Sequence, residues 1–222
     1  ARPSVGKTSF SLSVAFNVAK KGKKVLFLTC EMDDQEIFDR LLSFQTNHPI
    51  LNITSGKIKK EIVEKGYEEI RKLPLSIMHL SEATSNDVYS IASKFKTING
   101  LDLLVVDYLG YISDDGESEV ERLGKISRSF KMTANLLDCV VLSPHQLNRA
   151  VERRSKTERE LLKLSDLRDS GHLEQDADVV MFLNRDMLGK QSEKSSIQIA
   201  KNRVGQTGLV DIRFNILTTK FE

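Results

Sequence analysis

The 222-residue sequence has two cysteines, four prolines, no tryptophan and almost no net charge. None of its apolar runs approaches the ~20 residues that a membrane-spanning helix needs. A membrane partner is therefore not expected. No signal-peptide pattern is present either, although a chain that opens inside a loop says little about a leader. Cys30 and Cys139 each lie in an apolar, strand-like run, where a buried free thiol in a reducing cytoplasm is the ordinary reading. The net charge of +2 neither demands nor excludes nucleic acid; only the distribution of charge informs. With 40% hydrophobic and 29% charged residues, the composition fits one sizeable globular domain spanning residues 1–222.

Against those absences stands the first octet. Ala1-Arg2-Pro3-Ser4-Val5-Gly6-Lys7-Thr8 runs straight into an apolar-periodic helix. The pattern follows the phosphate-binding form G-x-x-x-x-G-K-[ST], with Ala1 in place of the first glycine. Such a loop turns successive backbone N–H groups inward, and the following helix adds its positive dipole, so a polyphosphate binds there. Lys7 is expected to reach the β- and γ-phosphates, and the Thr8 hydroxyl to hold a magnesium ion. The strand that normally feeds such a loop is expected to be missing from this chain. Gly6-Lys7-Thr8 by itself also fits a plain turn.

Downstream, strand and helix patterns alternate. The spacing predicts a helix over Thr8–Lys20, a buried strand over Lys24–Cys30, and a helix after Asp33-Asp34 carrying Ile37, Phe38, Leu41, Leu42 and Phe44. A further helix runs over Ile58–Arg71, a strand over Leu75–Leu80, and a helix capped by Ser85 or Asn86 reaches Asn99. Leu101–Leu109 is the most apolar strand. A long helix ends near Leu137, and Cys139–Ser143 reads as another buried strand. Val179–Leu183, Ser196–Ala200 and Leu209–Phe214 follow, the last two joined through Val204–Gly208 as a hairpin. This is an α/β fold with a mostly parallel sheet flanked by helices and antiparallel C-terminal edge strands.

Three strand ends carry chemistry. Asp107 closes the strand Leu103–Asp107, at the edge where ligands lie on an open α/β sheet, and can complete a magnesium shell opposite Thr8. An aspartate there also serves as a mere turn former. Glu31 follows the strand Val25–Cys30 and can activate the water that attacks a γ-phosphate, or simply cap the next helix. Gln146, in Ser143-Pro144-His145-Gln146-Leu147-Asn148-Arg149, is an amide able to sense a γ-phosphate. His145 itself either contacts phosphate or packs as an ordinary residue.

The segment Leu164-Ser165-Asp166-Leu167-Arg168-Asp169-Ser170-Gly171-His172-Leu173-Glu174-Gln175-Asp176-Ala177-Asp178 closely resembles a signature of the DnaB-type replicative DNA helicases, in their RecA-like C-terminal motor domain. The same family pattern fits the opening octet, Glu31-Met32, Val106-Asp107-Tyr108-Leu109, Gln146-Leu147-Asn148-Arg149, and Lys201-Asn202-Arg203 followed by Gly205 and Gly208. The resemblance runs through nearly the whole chain. It implies a homohexameric ring, in the full-length protein, that hydrolyses ATP with Mg2+ and moves 5′ to 3′ on single-stranded DNA. It assigns the nucleotide to Ala1, Arg2, Pro3, Ser4, Val5, Gly6, Lys7, Thr8 and Ser9, and the metal to Thr8 and Asp107. Glu31 becomes the catalytic acid, Gln146 the sensor, and Lys201 and Arg203 groups that act in trans on a neighbour's nucleotide. Without the family, Lys201 and Arg203 read as a solvated edge-strand pair.

In such helicases the loop matching Arg168, Asp169 and Gly171 holds DNA phosphates, Arg168 by charge and the others mainly by backbone N–H groups, so binding is expected to ignore base identity. The charged segment Arg149–Lys163 reads equally as a second DNA contact or a solvated loop. Helicase loader and primase are the implied partners, and the bacterial cytoplasm or nucleoid, or a phage host's cytoplasm, the implied location. Lacking the N-terminal domain and linker helix of full-length relatives, the chain is expected to be monomeric and weakly active alone. Two rival readings stand beside the helicase: a RecA-like recombinase or other remodelling ATPase, and a catalytically silent module for DNA or loader binding.

Overall fold

A computed structural model of the chain describes residues 5–147, 162–164, 171–185 and 194–222. The first half builds a parallel sheet in the order β2-β1-β3-β4, from β1 (Val25–Thr29), β2 (Leu75–His79), β3 (Leu103–Asp107) and β4 (Val140–Leu142). Helices α1 (Lys7–Lys20), α2 (Asp34–Thr46), α3 (Ile50–Thr54), α4 (Lys60–Arg71), α5 (Ser85–Asn99) and α6 (Glu119–Leu136) connect and cover it.

Side chains alternate across a strand, and here the alternation divides the core in two. Val25 and Phe27 of β1, with Leu103 and Val105 of β3, pack beneath α1, α2 and α4 on Leu12, Phe16, Ile37, Leu41 and Ile70. Leu26 and Leu28, with Leu104 and Val106, face α5 and α6 on Val88, Ala92, Leu123, Ile126 and Phe130. Both strands are buried on both faces, which is why they read as continuous apolar runs. In-register pairing of Val25 with Leu103 and Thr29 with Asp107 brings the two strand ends to one edge.

Local signals set the helix boundaries. Asp33 caps α2, its Oδ1 accepting from the Glu36 N–H at 2.7 Å. The cap of α5 is Thr84, in a full capping box with Asp87, rather than Ser85 or Asn86. Ser85 instead hands its N–H and hydroxyl to Asp114. The short helix α3 was not signalled by any periodic pattern.

The second half folds as its own antiparallel sheet, β5 (Val179–Arg185), β6 (Lys194–Asn202), β7 (Gly208–Asn215) and β8 (Lys220–Phe221), preceded by the short helix α7 (Gly171–Asp176). The parallel sheet ends at β4 and this second sheet starts at β5. Between them runs a groove of about 980 Å3, lined by Val140–Leu142, Val179–Leu183 and the start of α1 at Lys7 and Phe10. The expectation of a buried strand at Cys139–Ser143 is corrected accordingly: β4 is short, and Val140 is 63% exposed along the open edge. Among the described residues no helix is long and apolar enough to cross a membrane.

Candidate functional site

Gly6 ends the loop with φ +103°, a left-handed conformation in which an L side chain is strained, and its carbonyl accepts the Phe10 N–H at 2.8 Å. A Cβ at Gly6 would also meet the Phe221 ring at 3.2 Å. Lys7 and Thr8 thus occupy the first helical turn, where free N–H groups and the dipole favour an anion. Val5 is buried with Leu183, Phe214 and Phe221, and Ser9 is buried in the wall of α1. Ala1, Arg2, Pro3 and Ser4 lie outside the described residues. Gly6→Ala is expected to cost ~1–2 kcal/mol through the left-handed backbone alone. Nucleotide affinity should fall with it, read by titration of a fluorescent nucleotide alongside a melting curve.

Asp107 is 1% exposed, and neither carboxylate oxygen has a partner in full hydrogen-bond geometry. Burial pushes its carboxyl up to about 6; the Thr8 hydroxyl and the charges of Lys7 and Arg40 pull the other way, and Glu31 adds to the rise. Burial in turn lowers the Lys7 ammonium, while Glu31 and Asp107 hold it up. Lys7, Thr8, Glu31 and Asp107 therefore form one electrostatic cluster. A buried carboxylate beside a hydroxyl, at the N-terminus of α1, fits a hard cation. Among the described residues no group of three or more His, Cys, Asp or Glu side chains could hold a metal unaided. Magnesium is usually held by one or two carboxylates, with phosphate and water as its other ligands.

The raised pKa of Asp107 makes folding stability depend on pH. Between about pH 4 and 6 the folded chain keeps a proton that the unfolded chain releases, so folding stability falls as pH rises through that window. The cost above pH 6 is on the order of 3 kcal/mol at most. Asp107→Asn is expected to remove this slope in denaturant titrations from pH 4 to 7. Magnesium-dependent nucleotide affinity in the unaltered protein should fall about tenfold per pH unit below 6, and the variant should show no such dependence.

Glu31 is exposed at the same edge, just after β1. The turn around it is fixed by the Thr29 hydroxyl, which accepts the Met32 N–H at 3.2 Å, and by Cys30, whose N–H donates to the Asp107 carbonyl at 2.8 Å. Because Asp33 caps α2, Glu31 is free of that duty. Burial, with the nearby Asp107, raises the Cys30 thiol to about 11, so it is no thiolate. Past β4, the Ser143 hydroxyl donates to the Val106 carbonyl at 2.9 Å, steering the chain to the same edge, and Gln146 follows, half-buried. Burial, with the positive charges of Lys7 and Arg122 nearby, pushes the His145 imidazole down to about 4. It is a neutral, packed side chain at physiological pH.

One member of the site carried no sequence signal. Arg40, on α2, donates from Nη1 to the Ser9 hydroxyl and to the Thr219 hydroxyl, both at 3.2 Å, and its charge reaches Asp107. A lone arginine on a helix reads as solvated; nothing local shows that it turns inward.

Lys201 and Arg203 do not join this cluster through any described contact. Lys201 Nζ donates to the Glu174 and Gln175 carbonyls, and Arg203 pairs with Asp178 at 3.1 Å. Of the expected DNA-binding residues, Arg168 and Asp169 lie outside the described residues, as does nearly all of Arg149–Lys163. Gly171 opens α7 and is exposed.

The chain resembles known proteins over its whole length. The family model for the DnaB-like helicase C-terminal domain matches residues 1–222. The chain is 37% identical to the replicative DNA helicase DnaB of Geobacillus stearothermophilus, over 96% of its own length and 49% of that protein. It is 35% identical to the replicative DNA helicase DnaC of Bacillus subtilis, with the same coverage of 96% and 49%. It spans about half the length of the curated relatives it matches. A solved ATPase domain superposes with TM-score 0.91 at 30% identity, covering 99% of this chain and 81% of the other. A solved DnaB-like replicative helicase, studied with its primase interactions, gives 0.90 at 30% identity, covering 99% and 56%. With the family model matched from end to end and relatives alike over nearly its whole length, the chain belongs to the DnaB-like helicase C-terminal domain family.

Proposed function

We propose that this chain is the motor of a replicative DNA helicase, in which ATP hydrolysis drives 5′ to 3′ movement along single-stranded DNA and separates the duplex. The observation that carries this reading is the buried Asp107 carboxylate beside Thr8, Lys7 and Glu31. The loop Ala1–Ser9 cradles the β- and γ-phosphates, and Lys7 neutralises charge on them. Thr8 and Asp107 hold the magnesium ion, which when bound supplies a Lewis acid at the phosphate oxygens. Glu31 accepts a proton from the attacking water, and Gln146 registers the γ-phosphate. Lys201 and Arg203 reach the nucleotide of the adjacent subunit in a homohexameric ring.

On the DNA side, Arg168, Asp169 and Gly171 grip the backbone. Gly171 is exposed and has no side chain, which would let a DNA phosphate approach its backbone closely. Helicase loader and primase are the proposed partners, in a cytoplasmic setting. The test is unwinding by the full-length protein on forked DNA with ATP and Mg2+. A 5′ tail is expected to load the ring and to stimulate ATP turnover; turnover indifferent to single-stranded DNA, or loading on the 3′ tail, would overturn the proposal.

A further inference from the structure

The cationic tip formed by Lys201 and Arg203 is not loose on its own subunit. Lys201 Nζ donates to the Glu174 carbonyl at 2.5 Å and the Gln175 carbonyl at 3.3 Å, at the negative end of α7. Two of its three donors are thereby used, and one is left. Arg203 Nη2 donates to the Gln175 carbonyl at 3.4 Å, and its backbone N–H to the Asp178 carbonyl at 2.9 Å. The Asp178 carboxylate is divided: Oδ1 holds Arg203 Nη1 at 3.1 Å, and Oδ2 holds Lys131 on α6. Both cations keep that carboxyl below its ordinary range, Lys131 most strongly.

The helix that carries these contacts is itself firmly seated. A Cβ on Gly124 of α6 would meet the His172 ring at 2.8 Å, so α7 lies directly on α6, and Leu173 packs into the core beneath it. Gly171, at the other end of α7, closes the loop assigned to DNA. Six residues thus separate the exit of that loop from the base of the tip.

The geometry points to Asp178 as a positioning residue for the trans-acting pair: it fixes Arg203 against α7 and ties the reach of the tip to the helix that leaves the DNA loop. This rests on the reading of Lys201 and Arg203 as groups that act on a neighbour's nucleotide. As a contribution to stability the pair is minor, because both side chains are about half exposed and solvent screens them. Its effect is on orientation. An arginine without a fixed partner spreads over many rotamers, and misplacing a catalytic group by about 1 Å can cost ~10²-fold in rate.

The test uses the full-length protein with single-stranded DNA and Asp178→Asn, Asp178→Glu, Arg203→Ala and the double variant Asp178→Asn/Arg203→Ala. Asp178→Asn is expected to lower DNA-stimulated kcat by ~10–10²-fold, with nucleotide affinity and melting temperature nearly unchanged. Asp178→Glu should restore most of the loss, and the double variant should be no slower than Arg203→Ala alone. Retained DNA-stimulated turnover in Asp178→Asn, or losses that multiply in the double variant, would overturn the assignment. The reading beneath it is checked separately: if Arg203→Ala subunits fail to rescue Glu31→Gln subunits in mixed rings, the trans role itself is gone, whatever Asp178 does.

Discussion

Replacing Glu31 by glutamine is expected to lower kcat by ~10²–10⁴-fold while nucleotide binding stays nearly intact. The geometry separates the two effects. Glu31 is exposed, follows β1 rather than lying within it, and takes no part in capping α2, so its charge is not needed for the fold. Nor can a carboxylate donate to phosphate: in the proposed site Lys7, Thr8 and the helix N-terminus would supply binding. The substitution keeps the shape and removes only the proton acceptor. It also removes a negative charge that raises Asp107 and supports the Lys7 ammonium. Near pH 6, Asp107 should therefore ionise more readily in the variant, so magnesium-nucleotide affinity is expected to stay level or tighten slightly. Stopped-flow binding of a fluorescent nucleotide and phosphate release in single turnover measure the two quantities independently. Turnover equal to the unaltered protein would remove Glu31 from the chemistry.

What the sequence disclosed, and what it hid, follows the range of the interactions. β1 and β3 were legible because burial on both faces leaves no polar residue in either strand until Thr29 and Asp107 at their ends. The two carboxylates at the sheet edge followed from that boundary. The cap of α5 is Thr84 rather than Ser85 or Asn86, because Asp87 closes a capping box with Thr84 and Ser85 is drawn to Asp114, 29 residues away. The exposure of β4 was hidden, since an apolar run does not say whether a neighbour covers its edge. Arg40 was hidden for the same reason: its partners Ser9 and Thr219 lie 31 and 179 positions away. Most distant of all, the Phe221 N–H donates to the Ser13 hydroxyl across 208 positions, seating the end of the chain on the phosphate-loop helix. The separate sheet β5–β8 belongs with these cases: hairpin signals reveal antiparallel pairing but not which sheet the hairpin joins.

In rings made wholly of Arg203→Ala subunits, turnover is expected to fall by ~10³–10⁵-fold, the worth of an arginine supplied at a phosphoryl-transfer transition state. Mixing them with equally inactive Glu31→Gln subunits should bring part of it back. The reason is the location of each group. Glu31 stands at the edge with Lys7 and Asp107, whereas the described contacts of Arg203 are with Gln175 and Asp178, at the far side of α7. An Arg203→Ala subunit keeps a complete pocket, and a Glu31→Gln subunit keeps a complete tip. A heterologous ring interface joins one subunit's pocket to the next subunit's tip, so in an equal mixture about one junction in four unites the two intact halves. If instead Arg203 served its own nucleotide, every subunit in the mixture would lack one essential group and no junction would turn over. ATPase activity across a range of mixing ratios, in rings whose mixed assembly is verified by native mass spectrometry, distinguishes the cases. A hump in activity at intermediate ratios is expected, and a flat line at the level of the separate variants would place Arg203 in cis or outside the reaction.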